Sequence, residues 1–143
     1  MAATIKPRLL LVDDEESIRR LVGKFLTEWH YDVTTAETGE ESLRLVNEQP
    51  FHLAVVDVVL ADTDGLQLME RMKAARPELP VVLLTGAGFD ELIMKEAREK
   101  GADGFASKTL PLPDLLAVIR RVLKQYKKET KLPELPPKPP HEQ

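Results

Sequence analysis

Four short apolar runs in this 143-residue chain end in residues able to handle a phosphate or a divalent cation. The run 8–12 delivers Asp13-Asp14-Glu15, and the run 51–56 delivers Asp57. The run 80–84 leads into Thr85-Gly86, and Phe105-Ala106 into Ser107-Lys108. In open α/β sheets ligands bind outside the carboxyl ends of the strands, so these are the positions where chemistry is expected. Carboxylates roughly 4 Å apart repel by about 4 kcal/mol at an effective dielectric near 20, so converging acids need a cation or shifted pKa values. An oxygen-only set without His or Cys suits a hard ion, Mg²⁺ above all. A carboxylate can also attack phosphorus and form an aspartyl phosphate. Lys108 and the Thr85 hydroxyl could then hold the other oxygens of the transferring group.

Taken one at a time, the same residues have plainer roles. An Asp after a strand commonly caps the next helix, and one of Asp13, Asp14 or Glu15 is expected to cap the first one. Thr85 alone reads as a strand or turn residue, and Lys108 alone as a solvated charge. The argument rests on four strand ends carrying Asp-Asp, Asp, Thr and Lys in order.

The elements that must position them follow from periodicity. After the first run, Ile18, Leu21, Val22, Phe25, Leu26 and Trp29 form one helical face. Residues 31–36 alternate like a strand. Thr38-Gly39-Glu40-Glu41 has capping-box spacing and opens a helix carrying Leu43 and Val46. Leu66, Met69 and Met72 mark the next helix. The helix over 90–100 has a thin apolar face (Leu92, Ile93, Ala97), with Gly101 placed to stop it. Leu115, Ile119, Val122 and Tyr126 line the last. Five strands alternating with five helices imply parallel βαβ units with right-handed crossovers, a doubly wound three-layer α/β domain. The near-continuous apolar character of the first, third and fourth strands fits a sheet covered on both faces.

Composition narrows the class. At 43% apolar and 31% charged residues the chain is ordinary for a globular domain. Its formal net charge of −4 favours neither nucleic acid nor an anionic membrane as a direct partner. With no cysteine there is no disulfide or thiol-ligated metal. No apolar stretch is long enough to span a bilayer, and residues 1–7 lack the core of a signal peptide, so a cytoplasmic location is the expectation. No Gly-x-x-x-x-Gly-Lys-Ser/Thr is present, and no Gly-x-Gly-x-x-Gly follows a strand. Residues 129–143 hold five prolines and read as an extended tail or linker, with 1–7 as a disordered start and 8–128 as the domain.

Four motifs together resemble the receiver domain of two-component response regulators. They are Leu10-Leu11-Val12-Asp13-Asp14-Glu15; Asp57 with Leu60, Asp64 and Gly65 at +3, +7 and +8; Val82-Leu83-Leu84-Thr85-Gly86; and Gly101-Ala102-Asp103-Gly104-Phe105-Ala106-Ser107-Lys108. The resemblance covers about residues 8–125. It implies a flavodoxin-like sheet of order 2-1-3-4-5, with Asp57 as phosphoacceptor for a histidine kinase or phosphotransfer protein. It further implies Mg²⁺ held by Asp14, Asp57 and the main-chain carbonyl of Val59, with Asp13 acting mainly through a water. Lys108 would pair with Asp57 and then with its phosphate. Thr85 and Phe105 would move together and reshape the face of the fourth helix, fifth strand and fifth helix. Such a domain is a signalling module rather than an enzyme, acting on an output domain or protein, in some members as a phosphorylation-linked homodimer.

The chain departs from the family pattern in places. Thr109 replaces the proline that usually follows the Lys in a cis peptide, and a cis bond before a non-proline costs about 2.5–4 kcal/mol, so a trans bond is expected. Ala61 replaces the usual proline at +4, and Phe105 the common Tyr. Val59 and Ala87 are apolar where the family tunes hydrolysis, which implies a phosphoryl lifetime of minutes or longer. Two rival readings remain at this level: a receiver-like interaction module without phosphorylation, and a haloacid-dehalogenase-type phosphatase. The latter needs Asp-x-Asp after the first strand, where this chain has Asp13-Asp14-Glu15.

Overall fold

Short strands with apolar side chains on both faces can be buried only if helices cover both sides, and this is the architecture observed. The computed structural model describes residues 6–86, 90–108 and 111–130, with side chains as far as Tyr126. The elements are β1 (Arg8–Val12), α1 (Glu16–Glu28), β2 (Asp32–Ala36), α2 (Gly39–Glu48), β3 (Leu53–Asp57), α3 (Gly65–Ala75), β4 (Val81–Thr85), α4 (Glu91–Glu99), β5 (Gly104–Ser107) and α5 (Leu112–Thr130). The five strands pair in parallel in the order β2-β1-β3-β4-β5, as the sequence predicts.

Period-two alternation divides the core. Leu9, Leu11, Leu53, Val55, Val82 and Leu84 pack with α1 and α5. Leu10, Val12, Ala54, Val56, Val81 and Leu83 pack with α2, α3 and Ala97 of α4. Each fully buried Leu or Val contributes about 1.5–3 kcal/mol by leaving water. The strand-order reversal lies between β1 and β3, so their carboxyl ends open side by side.

Helix ends show where local sequence was sufficient. Gly101 adopts φ +113 after Lys100, the C-cap of α4, and its N–H and that of Ala102 bond the carbonyls of Arg98 and Ala97. That is a Schellman stop, as predicted. α1 ends in the same way, but with His30 at φ 69 in the left-handed position. At α2, Thr38 Oγ1 accepts from Glu41 N as expected, but the Glu41 carboxylate reaches Glu37 N instead of Thr38 N. At α1 the expected side-chain cap is absent: Glu15 occupies the cap position without such a bond. The Asp13 carboxylate instead accepts from Glu15 N.

α5 runs two residues into the stretch assigned to the tail, because the first proline, Pro133, restricts only the residue before it. The expectations about residues 1–5, Ala87, the Lys108–Thr109 bond and the Pro-rich segment from 131 onward fall outside the described residues.

Candidate functional site

The parallel register brings the predicted strand ends together. Asp13 follows β1, Asp57 ends β3, Thr85 ends β4, and Lys108 follows β5. Asp13 and Asp57 are buried, Asp14 is half-buried and Glu15 exposed. All four acids offer an oxygen within 4.8 Å of one another. Lys108 Nζ enters this cluster and stands 2.7 Å from Asp57 Oδ2, 2.9 Å from Asp13 Oδ2 and 2.9 Å from Glu15 Oε1. Its main-chain N–H donates to the Thr85 carbonyl at 2.9 Å, which fixes where the side chain starts.

Backbone donors hold the acids in place. Asp57 Oδ1 accepts from Val59 N at 3.0 Å, and Asp13 Oδ1 from Glu15 N at 2.9 Å. Arg19 on α1 donates to the Asp13 carbonyl at 2.8 Å. Gly65 is required by close approach: a Cβ there would meet the Asp57 carbonyl oxygen at 2.2 Å and Val58 Cα at 2.6 Å. Asp64 caps α3 by accepting from Leu66 N. Val59, whose main chain is a predicted metal ligand, has an exposed side chain.

Electrostatics follow from burial. Desolvation pushes the Asp13 carboxyl above the usual range, with the Asp57 charge adding to it, while the Glu15 amide and the Lys108 ammonium act against it. Burial also disfavours the Lys108 ammonium, but its bonds to Asp57, Glu15 and Asp13 outweigh that and raise its pKa. Lys108 therefore stays charged at every physiological pH.

The residues present fit a hard divalent cation. Four carboxylates face one ammonium, so negative charge remains in excess. Asp13 Oδ2 is fully buried and, apart from its ion contact with Lys108, has no well-formed hydrogen bond among the described residues. An oxygen-only donor set of this kind matches Mg²⁺.

Beyond the acids, a cleft of about 410 Å³ runs beneath α4, lined by Thr85, Leu83, Ile93, Met94, Ala97 and Phe105 among others. Thr85 lies two residues past Leu83 on the same face, and Phe105 pairs with Leu83 in the neighbouring strand. Phe105 is half-buried, with the Arg98 guanidinium 5.9 Å from its ring centre. α4 buries only Ala97 and leaves Leu92 and Ile93 exposed, in keeping with its thin apolar face.

Three participants escaped the sequence reading. Glu15 holds Lys108 rather than capping a helix. Asp62 reaches the N-terminus of α2. At the opposite end of the sheet Asp103, quoted only within a motif, binds Lys73 Nζ, Val81 N and the Tyr126 hydroxyl. None has a local signal, since each partner is distant in sequence.

Comparison with known proteins agrees with this geometry. The family model described as response regulator receiver domain matches residues 9–120. Transcriptional regulatory protein AfsQ1 of Streptomyces coelicolor is 36% identical over 124 residues, 87% of this chain and 54% of its own length. Transcriptional regulatory protein GlrR of Escherichia coli is 34% identical over 117 residues, 82% of this chain and 26% of its own. The chain thus spans between about a quarter and a half of these curated relatives. A CheY-like response regulator receiver domain protein from Methanospirillum hungatei superposes with a TM-score of 0.82 at 30% identity, covering 87% of this chain and 99% of that one. NtrX from Brucella abortus gives 0.82 at 31% identity, covering 89% and 29%. Strand order, acid cluster and family match converge, and the chain belongs to the response regulator receiver domain family.

Proposed function

We propose that this domain accepts a phosphoryl group on Asp57 from the phosphohistidine of a histidine kinase or phosphotransfer protein. The observation that carries the reading is the Lys108 ammonium lodged between Asp57 and Asp13, at 2.7 and 2.9 Å. In the transfer an Asp57 carboxylate oxygen forms a bond to phosphorus as the N–P bond of the donor breaks, and the donor imidazole leaves with the electron pair. Asp13, Asp14, Asp57 and the Val59 carbonyl would hold Mg²⁺, which when bound neutralises charge on the transferring group. Lys108 is already paired with Asp57 Oδ2 and needs little movement to follow the phosphoryl oxygens.

Thr85 supplies a hydroxyl at the neighbouring strand end, and Phe105 shares its face and cleft. Movement of these two toward a phosphoryl group would alter the support under α4. Since α4 buries only Ala97, its displacement costs little. The signal would pass from the α4-β5-α5 face to an output domain or partner, with the chain acting in the cytoplasm as a switch rather than a turnover enzyme. Among the described residues no helix is long and apolar enough to cross a membrane.

The test is incubation with Mg²⁺ and acetyl phosphate followed by intact-mass measurement. A gain of one phosphoryl group in the wild type, absent in Asp57→Ala, is expected. No gain in the wild type, together with no binding of a beryllofluoride mimic, would leave an interaction module without phosphorylation.

A further inference from the structure

The loop between β3 and α3 carries Val59, whose N–H holds Asp57 Oδ1. What holds the far side of this loop is Asp62. Its Oδ1 accepts from Gly39 N at 3.0 Å and its Oδ2 from Glu40 N at 3.2 Å, so one carboxylate spans the first two amides of α2. The loop lies flush against that helix end: a Cβ on Gly39 would stand 2.5 Å from Thr63 Cγ2 and 3.5 Å from Asp62 Oδ1.

α2 has its own cap, since Thr38 Oγ1 takes the Glu41 amide, and α3 has Asp64. Asp62 is therefore an additional bond between two elements 22 and 23 residues apart. The other end of α2 is gripped too, where Arg76 after α3 donates to the Val46 and Asn47 carbonyls. Acid at the N-terminus and guanidinium at the C-terminus match the helix dipole. The loop closes on itself through a bridge between Val59 and Asp64 and through the Gly65 N–H to the Val58 carbonyl. With Ala61 rather than a φ-fixing proline in its interior, the clip is what ties this closed loop to α2.

We propose that Asp62 is a positioning residue for the acceptor site: by clipping the loop to α2 it holds the Val59 main chain against Asp57. The proposal rests on the phosphoacceptor reading above. Asp62 touches neither metal nor phosphate and acts through Val59.

The experiment is calorimetric titration of Mg²⁺ into the full chain, with amide exchange followed by NMR, for the wild type, Asp62→Ala and Asp62→Asn. Asp62→Ala should weaken Mg²⁺ binding about fivefold, on the scale of a lost helix cap. It should also speed exchange at the Val59 amide. Phosphorylation by acetyl phosphate at saturating Mg²⁺ should stay within about twofold of wild type, because only loop order is lost. Asp62→Asn removes the charge but keeps an acceptor for Gly39 N, so it should recover more than half of the lost affinity. Equal loss in both variants would overturn the proposal by assigning the effect to charge alone, and so would unchanged affinity and Val59 exchange in Asp62→Ala. If the wild type itself neither binds Mg²⁺ nor takes up phosphate, the phosphoacceptor reading fails first and takes the proposal with it.

Discussion

Lys108 Nζ lies 2.7 Å from Oδ2 of Asp57, across 51 residues of sequence. The contact explains how a receiver domain keeps two buried acids side by side before any cation arrives. Neither Asp13 nor Asp57 is accessible enough for water to screen it, and repulsion between them raises the Asp13 pKa further. The ammonium is the counter-charge that the folded chain supplies for itself.

Removing it should therefore weaken the fold and make it dependent on metal. Lys108→Met is expected to lower unfolding free energy by about 2–4 kcal/mol, the scale of leaving buried charges unpaired. Excess MgCl₂ should restore more stability to this variant than it adds to the wild type. Urea unfolding with and without MgCl₂ measures both, and equal metal stabilisation of the two proteins would contradict this account.

His30 holds the left-handed position that ends α1, at φ 69, where Gly101 ends α4. A side chain there costs about 1–2 kcal/mol, partly offset by the extra flexibility glycine gives the unfolded chain. His30→Gly should stabilise the domain by about 0.5–1 kcal/mol, seen as a higher denaturation midpoint with an unchanged urea dependence. A lower midpoint would show that the His30 side chain contributes more than its backbone strain costs.

His52 links β1 to the approach to β3, with its side-chain Nδ1 accepting from Arg8 N at 2.9 Å and its main-chain N–H donating to the Arg8 carbonyl at 2.8 Å. Burial, helped by the Arg8 charge, lowers its pKa from 6.5. Above that value both folded and unfolded chains carry a neutral imidazole, and the contribution is complete. As pH falls below it, the unfolded chain takes a proton that the folded one refuses. Stability is then lost at up to about 1.4 kcal/mol per pH unit until the folded pKa is passed. His52→Asn keeps an acceptor and cannot titrate, so the variant should lose less stability than wild type as pH falls below about 6.5. Parallel losses in the two proteins would remove His52 from the pH response.

What the sequence determined by itself was local. Apolar runs at period two set the strands, and periodic faces set the helices. Gly101 marked a stop, Thr38 a start, and the order Asp-Asp, Asp, Thr, Lys named the site's main residues. These signals are legible because backbone propensity and side-chain spacing act over a few residues. Strand edges still moved by a residue or two: the third strand begins at Leu53, not Phe51, and takes in Asp57.

Only tertiary structure decided which groups meet. Glu15 reaches Lys108 over 93 residues, and Asp62 reaches Gly39 over 23. Asp103 becomes a half-buried node for Lys73, Val81 and Tyr126. Such contacts depend on β1 lying between β2 and β3 and on the loops that this order brings together, which no short window of sequence encodes. The burial that raises the Asp13 pKa exists for the same reason, since desolvation is a property of the assembled layers and not of the residue.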